Sequence, residues 1–272
     1  MKINDKVFEN TKTYIMGILN ITPDSFFDGG KYLNLSEATK QTEKMILEGA
    51  DIIDIGGQST KPGFSKISID EEIKRVVPVI REIKKEFDIP ISIDTFKSEV
   101  AKAALDEGCG MVNDIFGFKF DADMPKAIKT YNASVCLMHN RQNSNYENII
   151  DDIISDLQQS IKIAKSEDIS DDKILIDCGI GFQKDTEQNL ICIANLDKFN
   201  VLGYSQVLGA SNKSFIGDVL GSDISKRIYG TITTTVFGVL KGVMFIRVHD
   251  VLANKNAIGM TKKILEKGNK FL

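Results

Sequence analysis

The sequence predicts one (β/α)8 barrel, the TIM-barrel architecture of the α/β class, on three grounds. Eight apolar runs of strand length recur along the 272 residues. An amphipathic stretch with helical spacing follows each run, and this strict alternation implies parallel strands joined by right-handed crossovers. Eight such units are the number at which a parallel sheet closes on itself. Because no Pro/Ser-rich linker or low-complexity tract interrupts the pattern, we expect residues 1–272 to form a single domain.

The strand runs are continuous in Ile, Val, Leu and Met rather than alternating with polar residues. This pattern is typical of strands covered by helices on one face and by the barrel core on the other. Each run stops at a polar side chain, and in chain order these endings are Asn20, Asp54, Asp94, Asn113, His139, Asp177, the Ser211 to Lys213 turn, and Arg247 with His249. Since the carboxyl ends of all strands share one rim of a barrel, the polar endings should converge on a single site.

The helical stretches are predicted to span residues 36–49, 69–87, 98–107, 124–131, 148–166, 186–195, 226–242 and 253–267. Three hydroxyl residues suit helix N-caps, namely Ser36, Ser98 and Thr186. Three glycines suit helix ends, namely Gly49, Gly108 and Gly242. A doubly wound open sheet is the alternative arrangement, but the GxGxxG fingerprint expected after its first strand is absent.

The composition limits the partners of the protein. The chain has 38 acidic and 34 basic residues, so its net charge of -4 gives no overall positive field for a nucleic acid or an anionic membrane. The four cysteines form no CxxC pair and lie in or beside apolar runs, which predicts reduced thiols of the core. No apolar leader follows Met1, and no run is long enough to cross a bilayer. We therefore expect a cytoplasmic protein that binds small molecules.

One half of the ring of polar endings is rich in hydrogen-bond acceptors. Asp94, Asn113 and Asp177 end three strands in the barrel mouth, where a carboxylate stays charged only if a ligand donates to it. A flat heterocycle with a guanidine-like edge offers two parallel N–H groups to one carboxylate. Lys213 would then satisfy a ring carbonyl oxygen or reach a second substrate. This half of the ring therefore predicts a site for a heterocycle.

Cations and neutral donors are concentrated on the neighbouring first, second and eighth strand ends. Asn20, Thr60, Lys61, Arg247 and His249 belong to this half of the ring. An acidic protein that gathers such groups on one rim is expected to bind phosphate or pyrophosphate there, with Mg²⁺ held by an oxygen ligand such as Asn20. A lone histidine is more often a structural residue, but the neighbouring Asn20 and Lys61 favour anion binding by His249.

Several motifs resemble one enzyme family. Residues 16–26 (MGILNITPDSF) followed by Asp28 resemble the first signature of the dihydropteroate synthase family, and residues 49–63 resemble the second. Further matches follow in order at 93–95, 113–114, 177–182, 213–215 and 247–249. Seven motifs in this order are far more specific than any one short pattern, and they extend over nearly the whole chain.

The resemblance implies condensation of 6-hydroxymethyl-7,8-dihydropterin pyrophosphate with p-aminobenzoate to form 7,8-dihydropteroate and pyrophosphate. It assigns pterin binding to Asp94, Asn113, Asp177 and Lys213. Pyrophosphate binding falls to Asn20, Thr60, Arg247 and His249, with Asn20 as the Mg²⁺ ligand. The p-aminobenzoate slot would be formed by Phe26, Lys61, Pro62, Phe182 and Ser214. The catalytic residues implied are Asp28, Lys213 and Asp177, with Asp28 helping to stabilise a cationic pterin after C–O cleavage; Asp54 and His139 remain as support.

The chain departs from the usual family pattern at four positions of these motifs. Gln58 stands where glutamate is frequent, Lys61 and Asn212 where arginine is usual, and Cys178 where proline is usual. Lys61 keeps the charge of the usual arginine but lacks its planar fork, and Asn212 lacks a cation that would cover the pterin face. Cys178, without a second thiol nearby in sequence, is assigned to packing. These departures are expected to weaken binding rather than abolish the chemistry.

Two other functions remain alternatives at this point. A methyltetrahydrofolate-dependent corrinoid methyltransferase would use a similar Asp/Asn/Asp pocket but no pyrophosphate site. A non-catalytic pterin-binding homologue is suggested by Lys61 and Asn212. The family is generally dimeric, and residues 231–239 (TITTTVFGV) are too apolar for a solvated helix face, so we expect a homodimer.

Overall fold

Eight parallel strands close into a barrel in the computed structural model, which describes residues 1–21, 30–58 and 67–268. An antiparallel hairpin of β1 (Lys2–Ile3) and β2 (Lys6–Val7) precedes the barrel. The barrel strands are β3 (Tyr14–Asn20), β4 (Ile52–Gly56), β5 (Ile91–Asp94), β6 (Met111–Asp114), β7 (Ser134–Met138), β8 (Ile174–Asp177), β9 (Ser205–Leu208) and β10 (Phe245–Val248). Their order around the ring follows the chain, and β10 pairs with both β9 and β3. The predicted fold class is confirmed.

Helices follow the strands and cover the outside of the barrel. They are α1 (Gly30–Leu47), α2 (Ile69–Glu86), α3 (Ser98–Asp106), α4 (Met124–Tyr131), α5 (Ile149–Ser166), α6 (Thr186–Ala194), α7 (Ser214–Leu220), α8 (Ile228–Leu240) and α9 (Val251–Gly268). The sequence did not predict α7, because its seven residues form about two turns and are too few to show a helical period.

The predicted helix caps are only partly correct. Ser36 lies inside α1, so its assignment as an N-cap is wrong. Ser98 is the first residue of α3, and its N–H donates to Asp121 Oδ2 at 2.7 Å. Asp185 rather than Thr186 caps α6, since a carboxylate just outside the helix accepts from an N–H of its first turn. The three predicted terminal glycines all have positive φ, between 79° and 98°, as left-handed helix ends require.

The lower half of the barrel lumen is an apolar plug. Its inward side chains form one cluster that comprises Met16, Ile52, Met111, Cys136, Leu175, Val207 and Phe245 with neighbouring residues. The N-terminal hairpin adds Ile3, and the residue after it, Phe8, places its ring centroid 5.1 Å from that of Phe245 and 4.9 Å from that of Tyr14. These aromatic contacts close the amino-terminal end of the lumen.

The upper half of the lumen is polar. Side chains alternate along a strand, so the residue two positions further on faces the same interior. In the upper half these positions carry Asp54, Asp94, Asn113, Met138, Asp177, Gly209 and Arg247. The change from apolar to polar therefore occurs within two residues on four strands, β4, β6, β8 and β10, and it places predicted ligands at the carboxyl rim.

The cysteines agree with the expectation from composition. All four cysteines are buried and free. Burial raises the pKa of the Cys109, Cys136 and Cys178 thiols, and it raises that of Cys192 to about 11. Among the residues described, we find no helix with the length and apolar character that a membrane span requires.

Candidate active site

One pocket opens at the carboxyl rim of the barrel. It is lined by Asp94, Asn113, Ile115, Met138, Asp177, Ile180, Phe182, Gly209, Lys213 and Arg247. All four residues predicted to hold a heterocycle are thus brought together, with Phe182 and Arg247 beside them. Asp94, Asn113 and Asp177 are each at most 6% exposed, so the part of a ligand that contacts them must lose its hydration shell.

Arg247 is the central cation of this pocket. Its Nε donates to Asp54 Oδ2 at 2.6 Å and its Nη2 to Asp94 Oδ2 at 2.7 Å. Asn113 Nδ2 donates to the same oxygen of Asp54 at 3.3 Å. Asp54 is fully buried and therefore supports Arg247 and Asn113 from below. Sequence reasoning placed Arg247 with the anion-binding residues, whereas the structure joins it to the carboxylates of the heterocycle side.

Two carboxylate oxygens of this cluster lack a hydrogen-bond donor within the part of the chain that is described. They are Asp54 Oδ1 and Asp94 Oδ1. A buried acceptor without a donor costs on the order of 1–3 kcal/mol, and more when it is charged. Because Asp94 lines the pocket, its free oxygen can be satisfied by an N–H group of a ligand. This geometry favours a donor-rich ligand.

Burial shifts the charge equilibria of the pocket. Burial raises the pKa of Asp94 to about 7, against the opposing effect of Arg247. It also raises the pKa of Asp177 above its usual range. Burial lowers the pKa of Lys213 to about 8, and the positive charge of Arg247 lowers it further. Near neutral pH, Asp94 and Lys213 are therefore close to changing their charge.

The loop after β8 brings Asp177 and Phe182 to the pocket. Gly179 N–H donates to Asp177 Oδ1 at 2.7 Å. Gly179 and Gly181 have φ of 72° and 77°, and a Cβ on Gly179 would lie 2.0 Å from the carbonyl oxygen of His139. The loop ends with the ring of Phe182, whose centroid is 4.1 Å from Lys213 Nζ. This cation–π contact joins two residues that were predicted to serve different substrates.

Two of the residues predicted for the anion, His249 and Asn20, lie at the edge of the pocket. His249 is exposed, and its Nδ1 lies 2.9 Å from Ser211 Oγ, which also accepts from His249 N–H at 3.3 Å. Asn20 ends β3, with its Oδ1 3.6 Å from the point where a Cβ on Gly56 would stand. Asp94 Cβ is also 3.6 Å from that point, so the amide lies beside the pocket.

Some predicted residues cannot be compared with the structure. Phe26, Asp28, Thr60, Lys61 and Pro62 lie outside the described residues. Ser214 is the first residue of α7 and is exposed, directly after Lys213.

The departure at Gln58 has a local explanation. Lys97 Nζ donates to Glu72 Oε2 at 2.6 Å, to Gln58 Oε1 at 2.9 Å and to Ile67 O at 2.8 Å. Thr95 Oγ1 donates to the other oxygen of Glu72 at 2.8 Å. One buried cation is already paired with one buried carboxylate, so a second carboxylate at position 58 would add an unbalanced charge. A neutral amide avoids this cost.

The departure at Asn212 also has a local explanation. Its φ is 58°, a left-handed conformation that asparagine tolerates better than most residues with a Cβ. Its N–H donates to Thr231 Oγ1 at 3.2 Å, and Arg227 Nη1 donates to its carbonyl oxygen at 2.9 Å. Hydrogen bonds with Thr231 in α8 and with Arg227 directly before α8 therefore hold the backbone turn that precedes Lys213.

Sequence reasoning missed a partly buried polar network beside the pocket, with His139 buried at its centre. It consists of Lys184, His139, Asp156 and Arg141, which contact one another in that order. His139 was assigned to support, but no partner for it was predicted. The available signal was a lysine directly after a glycine-rich loop, where the loop carbonyls need a donor.

Comparisons with known proteins agree with this geometry. The pterin binding enzyme family matches residues 16–249. Dihydropteroate synthase of Clostridium beijerinckii is 51% identical over 98% of this chain and 100% of its own length. A crystal structure of dihydropteroate synthase from Clostridium difficile, solved in the presence of pteroic acid, has a TM-score of 0.92 and 49% identity, covering 94% of this chain and 97% of that one. The Xanthomonas albilineans enzyme with 4-aminobenzoic acid has a TM-score of 0.90 and 33% identity, covering 94% of both chains.

Proposed function

The chain belongs to the pterin-binding enzyme family as a dihydropteroate synthase, and we propose that its pocket joins 6-hydroxymethyl-7,8-dihydropterin pyrophosphate to p-aminobenzoate. The products are 7,8-dihydropteroate and pyrophosphate, so the enzyme is a transferase that forms a C–N bond. The observation that carries the proposal is the convergence of Asp94, Asn113, Asp177 and Lys213 on one buried pocket. Other pterin-dependent functions are not favoured by the comparisons.

The pterin would bind at the buried end of the pocket. Its guanidine-like edge presents parallel N–H groups, which match the carboxylate of Asp177 and the free oxygen of Asp94. Asn113 offers both a donor and an acceptor to the ring. Lys213, held over the ring of Phe182, can donate to the pterin carbonyl oxygen. Bound N–H groups would also stabilise the charged form of both aspartates and lower their pKa values.

The pyrophosphate would bind at the rim, where His249 and Asn20 lie. Arg247 can contribute to both substrates, because its guanidinium reaches from β10 across the lumen to Asp54 and Asp94. Thr60 completes the proposed pyrophosphate site by family likeness.

A magnesium ion fits this arrangement. Mg²⁺ usually binds one or two protein oxygens and completes its shell with phosphate oxygens and water, so the amide oxygen of Asn20 suffices as a protein ligand. No group of three His, Cys, Asp or Glu suited to a metal is found among the described residues. When bound, Mg²⁺ would offset the charge that develops on the departing pyrophosphate.

The reaction needs positioning more than acid–base catalysis. The C–O bond to pyrophosphate breaks, its electron pair leaves with the pyrophosphate, and the amine nitrogen forms the new bond to the methylene carbon and releases a proton. Asp28 is proposed, by family likeness, to stabilise the positive charge on the pterin. Phe182, Ser214, Phe26, Lys61 and Pro62 are proposed to hold the aryl amine facing that carbon. No covalent enzyme intermediate is required.

A coupled assay of pyrophosphate release tests the proposal. Purified protein given both substrates and Mg²⁺ should release one pyrophosphate per dihydropteroate formed. Lys213→Met should lose most of this activity, whereas Lys262→Met, which changes a half-buried lysine bonded to Thr13 O at the opposite end of the barrel, should retain it.

Two outcomes would contradict the proposal in different ways. Pterin binding without pyrophosphate release would indicate a non-catalytic pterin-binding protein. If pyrophosphate with Mg²⁺ gave no thermal stabilisation, the result would count towards a methyltetrahydrofolate-dependent corrinoid methyltransferase.

We further propose that the enzyme is a cytoplasmic homodimer. The neighbouring helices α6, α7 and α8 expose large apolar side chains, namely Leu190, Val219, Leu220, Tyr229, Phe237 and Leu240. Most of the threonines of the 231–239 segment are buried inside the protomer, so these other side chains form the apolar surface that a second copy would cover. Free buried thiols fit a reducing compartment. A monomer by light scattering at micromolar concentration would contradict the dimer.

A further inference from the structure

The loop that follows β8 is built around the ammonium group of Lys184. Positive φ at Gly179, Gly181 and Gln183 turns the backbone so that two carbonyls face inward. Lys184 Nζ donates to Gly179 O at 2.9 Å and to Phe182 O at 3.2 Å. Loop carbonyls turned away from water need such a donor. Lys184 therefore holds the loop closed through two of the loop's own carbonyl groups.

The third donor of this ammonium is directed at a neighbouring strand end. Lys184 Nζ lies 3.1 Å from His139 Nδ1, which must accept because an ammonium group only donates. Burial lowers the pKa of His139 to about 3, and the positive charge of Lys184 lowers it further, so the imidazole is neutral. Its Nε2–H then donates to Asp156 Oδ2 at 3.0 Å. Asp156 in turn accepts from Arg141 Nε.

The loop held in this way carries two parts of the pocket. Its Gly179 N–H fixes one oxygen of Asp177, and its Phe182 ring lies over Lys213. Gly181 N–H is anchored from outside the loop by Asn189 Oδ1 at 2.6 Å. Lys184 does not line the pocket, so it acts on a ligand indirectly, through the position of the loop and through its positive charge, which lowers the pKa of Asp177 and that of Lys213.

We propose that Lys184 is a positioning residue for the reaction, oriented by His139 and Asp156, and that it sets the placement of Asp177 and Phe182 relative to Lys213. The inference rests on the proposed function, since it assigns a role in the same pocket. A lysine that only stabilised the fold would affect thermal stability and substrate use together. A positioning lysine should affect kcat/KM for both substrates well beyond any loss of stability.

Four variants separate these roles. Lys184→Met removes the ammonium and keeps most of the side-chain volume, and Lys262→Met is the matched control at the far end of the barrel. His139→Leu removes both hydrogen bonds of the imidazole. His139→Gln offers a carbonyl oxygen to Lys184 and an N–H to Asp156, so it can reproduce both bonds. The melting temperature and kcat/KM for the dihydropterin pyrophosphate and for p-aminobenzoate are measured for each protein.

We expect Lys184→Met and His139→Leu to lose roughly 10- to 100-fold in kcat/KM, with His139→Gln and Lys262→Met within about three-fold of the wild type. Unchanged kinetics in Lys184→Met would overturn the inference. It would also fail if His139→Gln lost as much activity as His139→Leu, or if the kinetic losses of all four variants followed their melting temperatures. A wild-type protein that released no pyrophosphate would instead contradict the proposed function.

Discussion

The lower and upper halves of the barrel lumen use the same strands for different purposes. On β8 the inward residue changes from Leu175 to Asp177, and on β10 it changes from Phe245 to Arg247. Below, the side chains form a closed apolar cluster. Above, the side chains include two carboxylate oxygens that receive no hydrogen bond from the described residues, and acids whose pKa values burial raises. A shift of two residues along a strand therefore separates stabilisation from recognition.

This contrast assigns different costs to the two halves. Apolar burial stabilises the fold at about 25 cal/mol per Å² removed from water, so the lower half supports the barrel. The upper half holds Asp54, Asp94, Asp177 and two cations with limited solvation, which reduces stability when no ligand is bound. Substitutions in the upper half of the lumen should change activity, and substitutions in the lower half should change stability.

The largest effect on activity is expected from Asp177→Asn. The amide keeps an oxygen for Gly179 N–H but loses the charge that we propose pairs with the pterin edge. We expect kcat/KM for the pterin substrate to fall by roughly 100-fold. Because burial raises the pKa of Asp177, removing its charge should leave the melting temperature unchanged or raise it. A large loss of thermal stability would break the proposed separation of the two halves.

The converse test is Phe245→Ala in the lower half. Phe245 is fully buried against Phe8, so its truncation should cost about 3–5 kcal/mol of unfolding free energy through lost burial and a cavity. KM values, measured well below the melting temperature, should change by less than about three-fold. Denaturant unfolding gives the free energy, and Phe245→Leu serves as the milder control. Selective loss of substrate binding with normal stability would contradict this assignment.

The pH dependence of activity sharpens the contrast from the upper half. Asp94, with a pKa of about 7, must be charged to accept from the pterin, so kcat/KM should fall as the pH drops below 7. Lys213, with a pKa of about 8, should lose its charge above that value, which gives a second, basic limb. The profile in pyrophosphate release is therefore expected to be bell-shaped. Asp94→Asn should remove the acid limb and Lys213→Met the basic limb.

Stability should follow pH with the opposite sign for Asp94. Its folded pKa of about 7 lies above the ordinary value of 3.8, so as the pH rises the unfolded chain releases this proton first. Between about pH 4 and pH 7 this group therefore makes the folded state progressively less stable. Between about pH 4 and pH 7, the slope of unfolding free energy against pH should be less negative in Asp94→Asn than in the wild type. An unchanged slope would show that burial does not perturb this acid.

The smallest effect is expected from Cys178→Ser. Cys178 follows Asp177 in sequence, yet its side chain is buried in the apolar cluster outside the lumen, and burial raises its thiol pKa. Turnover should stay within a few-fold, while a buried hydroxyl lowers the free energy of unfolding by about 1–2 kcal/mol. Steady-state kinetics and thermal melting check both values. A loss comparable to that of Asp177→Asn would give Cys178 a chemical role.

The sequence was sufficient to predict the fold and the convergence of four polar residues on one pocket. Alternation of apolar runs and amphipathic stretches determines a parallel barrel, and in a barrel the endings of strands must share one rim. Asp94, Asn113, Asp177 and Lys213 therefore met as predicted. The information was local in each case, since it depended only on where a run ended.

Contacts across the lumen could not be predicted in this way. The pairing of Arg247 with Asp54 and Asp94 depends on how far the arginine side chain reaches across the barrel. The position at which a strand ends does not predict this reach. The bond between Lys184 and His139 joins residues 45 positions apart through a backbone turn with positive φ. The prediction of an N-cap at Ser36 was wrong because α1 begins at Gly30, so the serine lies within the helix.

The aromatic rings of Phe8, Tyr14 and Phe245 close the amino-terminal end of the barrel lumen. Within the part of the chain that is described, the pocket therefore opens at the carboxyl end. Substrates and products must all pass through the same mouth. The pterin, whose partners lie deepest, should enter first, and the aryl amine should join a pocket that is already loaded. Turnover should then follow an ordered kinetic scheme. Molecules that imitate the amine should compete best when pterin and pyrophosphate are present.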